Sequence, residues 1–434
     1  MTAGHVDQRV AGLAEARAGR RTLLGAAGGA GVLFSTALGA GTAGAAVPAA
    51  RTRKRAYVVV IDGCLPEEID SGLTPNLQRL RDEGLRHPRA ASLPVMETIP
   101  NHTMMMSGMR PDRTGVPANS VFDRELGEVR TLDRPSDLRA PTLLERLDRR
   151  GLRTGTVLSK EYLYGIFGTR ATYRWEPAPI VPVAEYAPDE FTMTAAREMV
   201  TAHDPHLMFV NLGDIDRFGH SDLSGPGGLE LLRRTALANT DRLVGGFVDL
   251  LREEGHWEHA IMVVLADHSM DFSFPDRVIS LTAPLEADPM LAGQVAIADN
   301  GGADLLYWLG PARRRDEAVR RMRAIAEETD GVLEALDRRK ASLRLGPEAG
   351  DVVVHCRDGW RFSDPDPVTS NPIPGNHGHP ATRPIPFFIS GGHPSVPRRT
   401  ARPGLATTAD VAPTVGQFFG LPAPRGGYDG RSRL

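Results

Sequence analysis

"AYVVVIDG", residues 56 to 63, runs through Val58, Val59, Val60 and Ile61 without a polar break and stops at Asp62 and Gly63. β-Branched side chains favour the pleated surface of a sheet. A run that does not alternate apolar with polar residues belongs to a strand covered on both faces, the habit of parallel sheets. The next segment, "TPNLQRLRDEG" (74 to 84), has the grammar of a helix: Thr74 at the cap, Pro75 at the first helical position and Gly84 at the stop. "PTLLERLDRRG" (141 to 151) repeats that grammar and leads into the strand "RTGTVLS".

Further along, "HLMFVNL" (206 to 212) and "AIMVVLADH" (260 to 268) read as two more buried strands, separated by a Leu-, Arg- and Ala-rich helix over 228 to 254. "PFFISGG" (386 to 392) and a helix in "DVAPTVGQFFG" (410 to 420) follow near the end. Strands alternating with amphipathic helices predict an α/β fold, a mostly parallel central sheet sandwiched by helices. Between about 271 and 375 the rhythm loosens into a helix (315 to 329), a strand "DVVVHC" and a Pro/Asp-rich loop, which reads as a cap subdomain inserted into one catalytic domain spanning 56 to 434.

The first 45 residues have another character. Arg20 and Arg21 precede a Gly/Ala-rich apolar run, and Ala43 and Ala45 occupy an A-x-A cleavage position, the pattern of a twin-arginine export signal followed by a linker over 46 to 55. No later stretch is apolar enough to span a membrane. A protein exported to the cell envelope or beyond, with no span in the mature chain, is therefore expected.

Composition narrows the function classes. With 41% hydrophobic and 24% charged residues among 434, the chain is an ordinary globular protein. Its net charge of -3, with no basic block beyond "RTRKR" at 51 to 55, argues against a nucleic-acid-binding surface. Its two cysteines, Cys64 and Cys356, could pair, but neither lies in a CxxC zinc pattern.

Chemistry in open α/β sheets gathers at the carboxyl ends of the strands. There the sequence supplies Asp62 in "VIDG", Asp216 and His220 in "GDIDRFGH", Asp267 and His268 in "ADHSM", and His377 in "GNHGH". Each alone could be a turn residue or a satisfied polar pair. Together, three carboxylates and three imidazoles suit borderline divalent metals, most simply Zn²⁺, and so many acids would be costly without cations. "ETIPNHTMMMSG" (97 to 108) adds Thr98 at the start of a short apolar helix, where it can be a cap, a nucleophile or both.

The ordered set "VIDG", "TIPNH", "DRFGH", "ADHSM" and "GNHGH" resembles the alkaline phosphatase superfamily, and within it the type I phosphodiesterase/nucleotide pyrophosphatase family. The resemblance implies two zinc ions, one on Asp216, His220 and His377 and the other on Asp62, Asp267 and His268. It further implies Thr98 as nucleophile and metal neighbour, and Asn119 in "PANSVFD" as a phosphoryl contact. The expected activity is cleavage of phosphodiester or pyrophosphate bonds through a phospho-threonine intermediate, on a small-molecule substrate.

Two departures qualify the substrate. Ile99 stands where nucleotide-preferring members carry an aromatic residue, which leaves Tyr162, Tyr164 or Tyr173 as stacking faces or as packing residues. "TVLSKEYLYGIFG" resembles phosphonoacetate hydrolases of the same superfamily, with Lys160 as an anion contact but Tyr162 in place of their second lysine. A phosphonate hydrolase or phosphomonoesterase on the same metals is the alternative reading, and a binding protein without catalysis a more distant one. His102, His379 and Asp214 are expected to support the ligands from behind.

Overall fold

In the computed structural model the described residues are 53–177, 186–221, 231–364 and 374–434. The expected export signal and most of the linker, residues 1–52, lie outside them. Among the described residues no helix is long and apolar enough to cross a membrane.

The strand Arg55–Ile61 lies inside an eight-stranded sheet. It pairs in parallel with Leu207–Leu212 on one side and Ala260–Leu265 on the other, with Val58 opposite Phe209 and Val263. Thr154–Leu158 and then Tyr173–Trp175 extend the sheet in parallel beyond Leu207–Leu212. On the other flank Phe387–Ser390 runs antiparallel to Ala260–Leu265 and leads to the short edge strands Leu85–Arg86 and Thr400–Ala401. The fold is thus α/β around a mostly parallel sheet.

Strand alternation divides the core. Ala56, Val58 and Val60 face a layer containing Ile99, Met105 and Met106, while Tyr57, Val59 and Ile61 face Leu77, Val244 and Phe247. Both faces are covered, which explains the unbroken apolar run. The helix Thr98–Ser107 has every residue buried, so its sequence shows no polar stripe.

The helix Pro75–Glu83 starts where expected, but its cap comes from elsewhere. The Thr74 hydroxyl donates to the carbonyls of Glu68 and Ile69. Asp241, on the long helix Leu231–Glu253, instead accepts from the backbone N–H groups of Asn76 (3.2 Å) and Leu77 (2.8 Å). Thr142 does cap its own helix, Leu143–Asp148, with Glu145 completing the reciprocal box.

Between the strand Ala260–Leu265 and the segment returning to the sheet lies a second, four-stranded antiparallel sheet: Val295–Asn300, Ala303–Trp308, Val352–Cys356 and Val332–Asp337. The helix Arg315–Glu328 packs on it through Ala318, Val319 and Met322, giving this region a core of its own with Leu306, Val354 and Phe362. Cys356 lies in that sheet and Cys64 follows the strand Arg55–Ile61; both are buried free thiols.

Candidate metal centre

The carboxyl ends of three neighbouring parallel strands deliver the acids. Asp62 follows Arg55–Ile61, Asp267 and His268 follow Ala260–Leu265, and Asp216 sits in the helix Asp214–Ser221 just after Leu207–Leu212. Gly63 has φ +72°, and a Cβ there would stand 3.0 Å from the Asp216 Cα, so only glycine lets the two acid-bearing segments approach so closely. His377 arrives on Gly375–Asn376, which pairs antiparallel with Asp271–Phe272.

Ligand atoms of Asp62, Asp267 and His268 lie within 4.8 Å of one another, and so do those of Asp216, His268 and His377. All five residues are buried. His220 Nε2 is 3.4 Å from Asp216 Oδ1, and His220 Nδ1 donates to the Gly375 carbonyl at 2.8 Å. His268 Nδ1 likewise donates to the Ser269 carbonyl, so in both rings Nε2 is the nitrogen left with its lone pair toward the cluster.

Asp62 Oδ1, Asp216 Oδ1, Asp267 Oδ2 and His377 Nδ1 are buried without a hydrogen-bond partner. Orphaned polar atoms of this kind cost free energy unless something binds them, and oxygen and imidazole donors converging at ligand distance are what a divalent cation satisfies. The residues present therefore fit a metal centre.

Charge in the cluster is shared unevenly. Burial, with Asp267 adding to it, pushes the Asp62 carboxyl up to about 6. For Asp216 burial acts the same way, but Lys160 and His220 outweigh it and hold the carboxyl well below its usual range. Lys160 is buried, with its ammonium 2.7 Å from Asp216 Oδ2 and 2.8 Å from Asp62 Oδ2. Burial alone would lower its pKa; the two carboxylates reverse that and keep it charged. Burial, reinforced by His268, keeps His377 neutral.

Thr98 is the first residue of its helix, and Glu97 occupies the cap position. The Thr98 hydroxyl lies 3.2 Å from His268 Nε2, and its carbonyl accepts from His102 Nδ1. A buried chain runs on from there: Asn211 Nδ2 reaches His102 Nε2 at 3.0 Å and Asp62 Oδ2 at 2.8 Å, while Asn211 Oδ1 accepts from the Ser159 hydroxyl. Burial lowers His102 to about 4, so it stays neutral. His379 pairs with Asp271 at 3.0 Å, and the carboxylates of Asp214 and Asp189 each accept from the other residue's backbone N–H.

Asn119 lies beside Thr98. Its Oδ1 accepts from the Ile99 N–H at 2.8 Å, which leaves the Nδ2 hydrogens free to donate. Its own N–H donates to the Glu97 carboxyl group at 2.6 Å. Glu97, pushed up to about 8 by burial, was not singled out from the sequence, although it directly precedes Thr98. Asn211 was overlooked too; the signal was a lone amide inside the otherwise apolar strand "LMFVNL". A cavity of about 230 Å³ opens here, lined by Glu97, Asn119, His220, Asp299, Asn300 and His377 among others.

Of the three tyrosines, Tyr164 donates to the Pro177 carbonyl and Tyr173 stacks on His203 with ring centroids 4.3 Å apart. Tyr162 alone joins the site, its ring 5.9 Å from the Lys160 ammonium.

The profile of the family described as "Type I phosphodiesterase / nucleotide pyrophosphatase" matches residues 56–380. Bis(5'-adenosyl)-triphosphatase ENPP4 of Bos taurus is 25% identical over 242 residues, covering 53% of this chain and 50% of its own. Ectonucleotide pyrophosphatase/phosphodiesterase family member 3 of Mus musculus is 24% identical over 217 residues, covering 49% and 24%. The chain thus spans half or less of the length of these curated relatives. In fold it is similar to murine ectonucleotide pyrophosphatase/phosphodiesterase 5, with a TM-score of 0.70 at 18% identity, over 86% of this chain and 96% of that one. It is also similar to phosphonoacetate hydrolase from Sinorhizobium meliloti in complex with phosphonoformate, with a TM-score of 0.65 at 20% identity, over 85% and 95%.

Proposed function

The chain belongs to the type I phosphodiesterase/nucleotide pyrophosphatase family, and on that premise we propose that it is an exported hydrolase of phosphodiester or pyrophosphate bonds that works with two zinc ions. Asp216, His220 and His377 would hold one ion, and Asp62, Asp267 and His268 the other. Bound there, the ions supply Lewis acidity, lowering the pKa of a hydroxyl or water and offsetting the charge of a phosphoryl group.

The chain's own residues do the rest. Thr98 Oγ1 attacks phosphorus in line with the leaving oxygen, the Thr98 O–P bond forms as the ester O–P bond breaks, and water then releases the phosphoryl group from Thr98. Thr98 Oγ1 lies 3.2 Å from Nε2 of His268, a residue that would hold one of the ions. The first turn of the helix Thr98–Ser107 presents the positive end of its dipole to the phosphoryl oxygens. Asn119, its Oδ1 already taken by Ile99, aims its Nδ2 hydrogens at the same oxygens. The region from about 271 to 375 would act as the cap that sets access; its separate core supports this. The arginine pair and A-x-A site support export by the twin-arginine route.

One observation carries the reading: ligand atoms of Asp62, Asp267 and His268, and of Asp216, His268 and His377, gather in two overlapping buried groups, and the Thr98 hydroxyl lies 3.2 Å from the shared His268. Hydrolysis of bis-p-nitrophenyl phosphate, p-nitrophenyl phosphate and phosphonoacetate by the zinc-loaded protein and its Thr98→Ala variant tests it. The expected result is a preference for the diester that the variant abolishes. Activity surviving Thr98→Ala would remove the nucleophile. A second reading, a phosphonate hydrolase, draws on the Lys160 ammonium inside the site, and a preference for phosphonoacetate would select it.

A further inference from the structure

Asn300 ends the strand Val295–Asn300 of the four-stranded sheet and is 6% exposed. Its side-chain amide is fully occupied. Oδ1 accepts from the Ser120 N–H at 2.8 Å, and Nδ2 donates to the carbonyls of Ser120 and Ala298, both at 3.1 Å. Asn300 thus grips both backbone polar groups of a single residue, as a neighbouring strand would. That residue is the one after Asn119, whose own backbone is tied on its other side to Glu97 (2.6 Å) and to the Leu132 N–H (2.8 Å).

The turn that begins at Asn300 also reaches the metal centre. Gly302 N–H donates to the His377 carbonyl at 2.7 Å. A Cβ on Gly302 would fall 2.5 Å from that oxygen and 2.2 Å from His379 Nδ1, and one on Gly301 would fall 2.6 Å from Asn376 Oδ1. Three consecutive residues therefore touch the loop that carries Asn119 and the segment that carries His377.

We propose that Asn300 is a positioning residue: by clamping Ser120 it aims the Asn119 amide at the transferring phosphoryl group, and through the adjoining glycine turn it sets that aim relative to His377. This rests on the reading of Asn119 as a phosphoryl contact. Donors stabilise developing charge only when held in place beforehand, and a shift of a fraction of an ångström is enough to lose the effect. The residue type is specific as well. One N–H and one C=O must be met by one acceptor and one donor on a short planar group, which asparagine supplies and aspartate does not.

A double-mutant cycle on the zinc-loaded protein tests the proposal, using Asn300→Ala, Asn119→Ala and the pair. Asn300→Ala should lower kcat for bis-p-nitrophenyl phosphate about tenfold with KM little changed and bound zinc unaltered. The pair should be no slower than Asn119→Ala alone. The same cycle is read in the affinity for inorganic phosphate by calorimetry, so it decides the role of Asn300 even if the natural reaction is not diester hydrolysis. Asn300→Asp, which turns an acceptor toward the carbonyls of Ser120 and Ala298, should lose at least as much as Asn300→Ala, and Asn300→Ser stands in if the alanine variant does not fold. Additive losses in the pair, or a loss that tracks departure of zinc, would overturn the proposal.

Discussion

The Lys160 ammonium lies 2.7 Å from Asp216 Oδ2, and the same nitrogen is 2.8 Å from Asp62 Oδ2. One buried cation thus serves carboxylates that belong to both halves of the metal centre. Replacing it by an isosteric apolar residue, Lys160→Met, leaves two buried acids dependent on metal for compensation. The gap in unfolding free energy between metal-loaded and chelator-treated protein should widen by about 3 kcal/mol in the variant. Denaturant titrations with and without chelator measure it; equal gaps in the two proteins would show that Lys160 is not their counter-ion.

Asn119 is held by Ile99, Glu97 and Leu132 before any substrate arrives. Asn119→Ala should reduce kcat for a diester by about 10²–10³-fold, the usual cost of losing one such donor, with metal content unchanged. Steady-state kinetics and elemental analysis of the purified variant check both halves of that statement.

His87 is buried against Phe387 with neither ring nitrogen bonded. Burial, with Arg433 and Arg402 adding to it, lowers its pKa to about 4, against about 6.5 for a free histidine. Between those values the unfolded chain binds more protons than the folded one, so stability from this site is present above about pH 6.5 and is lost as pH falls toward 4. Thermal midpoints between pH 4 and 7.5 should drop less steeply for His87→Phe than for wild type. Parallel curves would show that His87 does not contribute.

Asp241 caps a helix 165 residues away in sequence, through Asn76 and Leu77. Asp241→Ala should cost about 1–2 kcal/mol, within the range for a lost cap, without changing kcat. Urea denaturation beside the diester assay separates the two effects.

The parallel strands were legible because each is buried on both faces and therefore unbroken in sequence, and the acids were legible because they stand at the ends of those runs. Contacts between residues far apart left no such trace. Thr74 looks like a cap, yet the cap is Asp241; Tyr164 and Tyr173 could be read as stacking faces or as packing residues, and only their partners, the Pro177 carbonyl and His203, show where they lie. Asn300 sits in the stretch with the weakest pattern and acts on Ser120, 180 positions earlier, so no local periodicity could point to it.

Thr98 and its helix are embedded in the core of the eight-stranded sheet; the hairpin 295–308 shares that core through Ala298, Ala303, Leu305 and Tyr307, while Asp299 near its tip belongs to neither core and lines the cavity beside Asn119. Variation has unequal freedom at these two places. Substitutions along 98–107 disturb packing and chemistry together, so they will seldom be tolerated in a mutational library. Substitutions at Asp299 can alter the wall of the site while Thr98 keeps its seat, and that position is where altered substrate preference should be selected first.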